Sequence, residues 1–157
     1  MQLGISAESL FAPLPISIVG PMTQRLDARL DRYAPAALSV FRIIFGLLFL
    51  FHGLSTIVGW PIAPGGGTAS VGAWPNWYAG IIELVLGTLI TVGLFTRIAA
   101  FIACGEMAFA YFYQHIEVSF WPIVNHGELA VALCFGFLLL VFTGGGAYAV
   151  DAVRGRR

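Results

Sequence analysis

The sequence predicts an all-α membrane protein: a four-transmembrane-helix bundle with both termini cytoplasmic and a short amphipathic interfacial helix ahead of the first span. Three observations lead to that reading. Hydrophobic residues make up 59% of the 157-residue chain and charged residues 10%, whereas a soluble domain carries about 25% charged residues. Four apolar segments, at 36–58, 77–94, 97–116 and 126–142, come close to the ~20 residues a helix needs to cross the hydrocarbon core, and lipid admits a helix because all its backbone bonds close internally. The arginines are also sorted along the chain. Arg25, Arg29 and Arg32 precede the first segment, Arg97 separates the second from the third, and Arg154, Arg156 and Arg157 follow the fourth. An even number of spans puts all seven on one side, which the positive-inside bias makes cytoplasmic. Trp60, Trp74, Trp77, Trp121 and Tyr78 fall at the opposite edge, where an aromatic belt is expected.

Taken in order, residues 1–35 read as an extension that stays attached. A basic leading region is missing and Pro13, Pro15 and Pro21 interrupt the apolar stretch, unlike a signal peptide. Met22, Leu26, Leu30 and Tyr33 recur at helical spacing with Arg25, Arg29 and Arg32 elsewhere on the wheel, the pattern of a helix lying on the inner leaflet. The first span opens after Pro35, suited to a first turn. Asn76 and Thr96 are expected to cap the second and third spans, and Asn125, three residues before Glu128, has capping-box spacing for the fourth. Gly144, Gly145 and Gly146 stop that helix, and 152–157 is a basic cytoplasmic tail. The charge-free loop 59–67 reads as a linker, since its triple glycine lacks the Lys-Ser/Thr of a phosphate loop. Cys104 and Cys134, without CxxC spacing, read as buried apolar-like residues.

Eight arginines, no lysine and eight acids give zero net charge, so no basic face offers itself to nucleic acid. The charges inside the spans carry more information, because each costs at least about 2.5–3.5 kcal/mol at mid-membrane. They are Arg42, His52, Glu83 and Glu106 and, near the outer edge, His115, His126 and Glu128. At 1.5 Å per residue, Arg42 lies about 9 Å and His52 about 24 Å from the inner end of the first span. Arg42 is therefore expected to reach up to Glu106, while Glu83 meets His52 or stays protonated. Tyr113 shares a helical stripe with Glu106, whereas His115, nine residues on, points to the opposite side and is left out of the inner site. His126 reads as interfacial. No His follows either Glu at the i+3 spacing of di-iron bundles, and His52 has no second imidazole at its depth to make a haem pair, so haem and metal are disfavoured.

Arg42, Gly46 and His52-Gly53; Glu83 and Gly87; Gly93 with Thr96-Arg97; Gly105-Glu106; Trp121-Pro122 with Asn125, Gly127 and Glu128; and Phe142 to Gly144 with Asp151 form an ordered set. That set resembles the DoxX family over residues 36–151. The resemblance implies a four-span bacterial inner-membrane protein in an oxidoreductase setting, associated with quinone enzymes or with thiol and oxidative-stress complexes. It places Arg42, His52, Gly53, Glu83, Glu106, Asn125, Gly127 and Glu128 at recurrent positions of the family. It also marks a departure, since many members carry a lysine where this chain has Thr56. The leading expectation is a membrane redox component that binds a small lipophilic or thiol-reactive molecule, a quinone being the candidate cofactor, in the outer half of the bundle. Glu83, Glu106 and His52 would carry the chemistry, and Arg42, Tyr113, Asn125 and Glu128 the binding. Two alternatives stay open: a scaffold docking a soluble redox enzyme on its cytoplasmic face, and a small proton-coupled transporter working as a homo-oligomer.

Overall fold

A computed structural model describes residues 21–155, with side chains from Thr23 onward. The chain before residue 21, the side chain of Met22, and Arg156 and Arg157 of the tail lie outside the described residues. Within them the structure is helical and contains no strand. The chain divides into two units, residues 1–34 and 35–157. In the described part of the first, Arg25, Leu26, Arg29, Leu30, Arg32 and Tyr33 are all exposed.

Helix α1 spans Pro21–Val58 with Pro35 inside it. The segment read as a separate amphipathic helix is thus the first part of α1, and Pro35 does not open a first turn. A proline within a helix removes one backbone bond, and here its own carbonyl is used twice, accepting Ser39 Oγ at 3.0 Å and the Ala147 N–H at 3.0 Å. There follow α2 (Asn76–Val92), α3 (Thr96–Ala110), a π-helical segment (Tyr111–His115), α4 (Pro122–Asn125), α5 (Glu128–Thr143) and α6 (Val150–Arg154). The four longest helices overlap the four apolar segments of the sequence. Among the described residues one helical stretch, Thr23–Val58, holding an 18-residue window with a mean hydropathy of 2.1, is by itself long and apolar enough to cross a membrane, while α2 and α5 are apolar but 17 and 16 residues long.

Glycine sets how closely the helices approach. A Cβ on Gly87 would lie 2.6 Å from the Leu50 nitrogen, one on Gly46 2.7 Å from the Thr91 nitrogen, and one on Gly53 2.8 Å from the Gly80 carbonyl oxygen. The α1–α2 seam is therefore backbone against backbone, the packing that small residues allow between membrane helices. Phe45 and Phe49 carry α1 onto Phe137 of α5, with ring centroids 6.3 and 4.9 Å apart. Ala99, Ala100, Ala103 and Met107 of α3 join Leu133, Phe137 and Leu140 of α5 and Leu86 and Ile90 of α2 in one core cluster. Cys104 and Cys134, both free, meet across the α3–α5 contact with their Sγ atoms 3.6 Å apart.

A charged side chain is buried while much of the exterior is apolar. Arg42 is 1% exposed, whereas Phe101, Phe142 and Ile98 are 67%, 74% and 64% exposed. Water would penalise such an apolar exterior, and lipid does not.

One end of the molecule is closed by charged side chains that serve backbone groups. The Arg42 guanidinium donates to the carbonyls of Gly145 (2.8 Å), Ile90 (2.7 Å), Thr91 and Tyr148. The expected reach of Arg42 toward Glu106 is corrected: its donors go to the C-terminal carbonyls of α2 and to the loop after α5, among them Thr91 and Gly145, which have no other donor among the described residues. Gly93 ends α2 at φ 77°, and a Cβ there would meet Ala149 and the guanidinium itself. Asp151 caps α3 from a distance, accepting the N–H groups of Phe95 (2.9 Å) and Thr96 (2.8 Å) and the Thr96 hydroxyl (2.8 Å). Thr96 is consequently the first residue of α3 and not its cap. Arg97 returns the service to α5, donating to the carbonyls of Val141 and Phe142 at 2.6 and 2.7 Å. Burial alone would push the Asp151 carboxyl up, but the hydrogen bonds from Thr96 and Phe95 and the charge of Arg154 hold it below its ordinary value.

Two further caps differ from expectation. Asn76 begins α2 without capping it, because the carbonyls of Ala73 and Pro75 already receive the N–H groups of Trp77 and Ala79, and its Oδ1 instead faces Gln114 Nε2 at 3.4 Å. Asn125 lies in α4, and its Oδ1 accepts the Gly127 N–H at 2.8 Å. Gly127 then precedes α5, which has no side-chain cap.

Candidate functional site: a cavity with two buried carboxyls

At the end away from the Arg42 clamp, α1, α2, α3, the π segment and α5 surround a cavity of about 640 Å³. Its polar wall comes from His52 and Thr56 of α1, Asn76 and Glu83 of α2, and Glu106 of α3. Met107, Ala130, Leu129 and Leu133 supply an apolar floor, Phe109 and Tyr113 an aromatic side, and the loop residues Pro64, Gly66 to Ser70 and Ala73 contribute a roof. The loop read as a linker is thus partly wall, since Pro64, Gly66 and Gly67 line the cavity.

Glu83 is 6% exposed. Gly53 and Gly80, on either side of the seam, bring α1 and α2 close enough for His52 Nδ1 to stand 3.9 Å from Glu83 Oε1, in ion-pair range but beyond a hydrogen bond. Glu106 has a harder environment: both carboxyl oxygens are buried and neither has a hydrogen-bond partner. The two carboxyls line the same cavity. Unpartnered buried polar groups are rare in native proteins, and a buried acid with no donor calls for a proton or a ligand.

Glu83, Glu106, His52 and Tyr113, all singled out from the sequence, are brought together here. Three others are not among the lining residues. Arg42 is at the opposite end. Asn125, 4% exposed, holds chain, its amide nitrogen reaching the Ser119 carbonyl at 2.6 Å and the Tyr111 hydroxyl at 3.4 Å. Glu128 is exposed on the first turn of α5. The sequence missed His115, which does line the cavity and whose Nδ1 lies 2.9 Å from the Asn125 carbonyl oxygen. The reason is local: Tyr111–His115 is wound as a π-helix, whose i→i+5 bonding retards the helical phase, so the count that turned His115 away from Glu106 does not apply. His126, held at φ 57° between α4 and α5, also lines the cavity. Among the described residues no group of three or more His, Cys, Asp or Glu is placed to hold a metal ion. The arrangement is able to bind a small molecule that offers hydrogen-bond donors and to exchange protons with it.

Comparison with known proteins agrees with the ordered motifs. The DoxX family model matches residues 37–116. A Haemophilus influenzae protein named only as uncharacterized is 43% identical over 125 residues, covering 78% of this chain and 93% of its own length. An uncharacterized membrane protein of Mycobacterium tuberculosis is 24% identical over 151 residues, covering 87% of this chain and 92% of its own. No solved structure matches the chain.

Proposed function

This chain belongs to the DoxX family of membrane proteins, and on that premise we propose that it is a multi-pass bacterial inner-membrane component of an oxidoreductase system that holds a small lipophilic molecule in the cavity. In this reading α1, α2, α3 with its π segment, and α5 each cross the bilayer, and the clamp end faces the cytoplasm. The exposed apolar surface and the tryptophans at the cavity end support that placement. The carboxyls of Glu83 and Glu106 take protons from the bound molecule and return them, with His52 as the relay beside Glu83. Any electron carrier belongs to the ligand or to a partner protein. The observation that carries the reading is the Glu106 carboxyl, buried in a cavity wall with no partner of its own.

The test is calorimetric titration of the full chain in lipid nanodiscs with duroquinone as a neutral redox probe and with small lipophilic amines. Saturable binding of either probe, weakened about tenfold or more in Glu106→Gln, is expected. Absence of binding for both would overturn the reading.

A further inference from the structure

The function proposed above leaves the charge of the bound molecule open, and the distribution of charge through the whole chain narrows it. We infer that the cavity takes a lipophilic organic monocation, such as a protonated amine, seated between the Glu106 carboxyl and the aromatic side formed by Phe109 and Tyr113. This rests on the cavity being a ligand site at all.

The argument starts from what the chain lacks. It contains no lysine, so arginine and histidine are its only side-chain cations. Arg42 is committed to four carbonyls and Arg97 to two, both at the clamp end. The remaining described arginine of residues 35–155, Arg154, lies in α6 and does not line the cavity. Of the three histidines on the wall, His115 is tied to the Asn125 carbonyl, His52 faces Glu83, and His126 is in ion-pair range of neither acid. Among the described residues no cation stands within ion-pair distance of Glu106. Within residues 35–155 the site therefore presents carboxyl acceptors that are unused at Glu106, with no protein cation in ion-pair range of that second carboxyl.

A neutral acceptor such as a quinone leaves those acceptors unanswered unless both acids supply the proton themselves. An ammonium group supplies charge and N–H donors at once. The aromatic side adds to this: the Phe109 and Tyr113 rings lie stacked at 5.1 Å with an interplanar angle of 18°, offering π faces or edges to an aryl group and quadrupole attraction to a cation. Met107, Leu129, Ala130 and Leu133 complete an apolar floor for the rest of such a molecule. Metal ions fit less well, because the donors do not gather in threes.

The assignment orders the two acids. Glu83 already has His52, so removing the Glu106 charge is expected to cost more affinity than removing that of Glu83.

A matched pair of probes tests this on the unmodified protein. 4-Phenylbutylamine, cationic at neutral pH, and pentylbenzene, its uncharged isostere, are titrated into the full chain in nanodiscs, with empty nanodiscs subtracted and duroquinone run in parallel. The amine is expected to bind about tenfold or more tighter than the isostere, with Glu106→Gln erasing that preference and Glu83→Gln reducing it less. Equal or tighter binding of pentylbenzene or duroquinone overturns the inference and leaves the proposed function standing. No binding of any of the three overturns both. Because the isostere comparison uses the wild-type chain, it stands even if a variant fails to fold.

Discussion

The clamp end and the cavity end are built from the same few residue types put to opposite uses. At the clamp end Arg42, Arg97 and Asp151 each meet backbone groups that would otherwise be unpaired, and the three bind α2, α3, α5 and α6 into one block. At the cavity end Glu83 has one distant imidazole and Glu106 has nothing. A charge satisfied by its own backbone is spent on the fold. A charge left without a partner in a cavity is a cost the fold carries, and such costs gather where a molecule binds. The contrast predicts that stability and ligand affinity respond to different substitutions.

The hardest test of that division is Arg42→Ala. It would strip the donor from the carbonyls of Thr91 and Gly145 and leave Ile90 with the Gly93 N–H alone, a loss of about 3–5 kcal/mol, read as a steep drop in the midpoint of thermal unfolding in detergent. Arg42→Lys is expected to recover little, since one ammonium cannot follow the fork geometry. Next in size is Gly87→Val in the α1–α2 seam. Its side chain would press on the Leu50 backbone, costing about 1–3 kcal/mol by overpacking, visible in the same unfolding measurement.

Asp151→Asn is expected to cost about 1 kcal/mol as a weakened cap. This carboxyl is held below its ordinary value in the folded chain, so its contribution is fully present above that ordinary value and is lost as the pH falls through the lowered one. Unfolding midpoints measured down into that acid range should fall more steeply for the wild type than for Asp151→Asn. The smallest effect on stability is expected for Glu106→Gln, within about 0.5 kcal/mol or slightly stabilising, because no partner is lost and a buried acid becomes neutral. A large destabilisation there would break the comparison and make Glu106 a fold residue.

The helices were legible because apolar length in four segments leaves the backbone little choice, and the joint placement of His52, Glu83, Glu106 and Tyr113 followed from depth and helical phase. The role of Arg42 did not follow. Phase shows which way a side chain leaves its helix, but the acceptors it finds belong to the end of α2 and to irregular chain at Gly145 and Tyr148, whose carbonyl directions no periodicity encodes. Asp151 escaped for a related reason, capping α3 from 55 residues away in sequence. Thr96 at the helix start looked like its own cap because local spacing is all a sequence offers there. The thiols of Cys104 and Cys134, 30 residues apart, meet only because α3 and α5 pack through small residues.

The π segment has a meaning in lineage and in engineering. A π turn is equivalent to one extra residue accommodated in an α-helix, so deleting a single residue between Tyr111 and Gln114 would restore ordinary winding and keep His115 near its present phase. The α3–α5 contact below it would be left in place. The π winding is therefore what turns His115, at its nine-residue spacing from Glu106, onto the cavity wall.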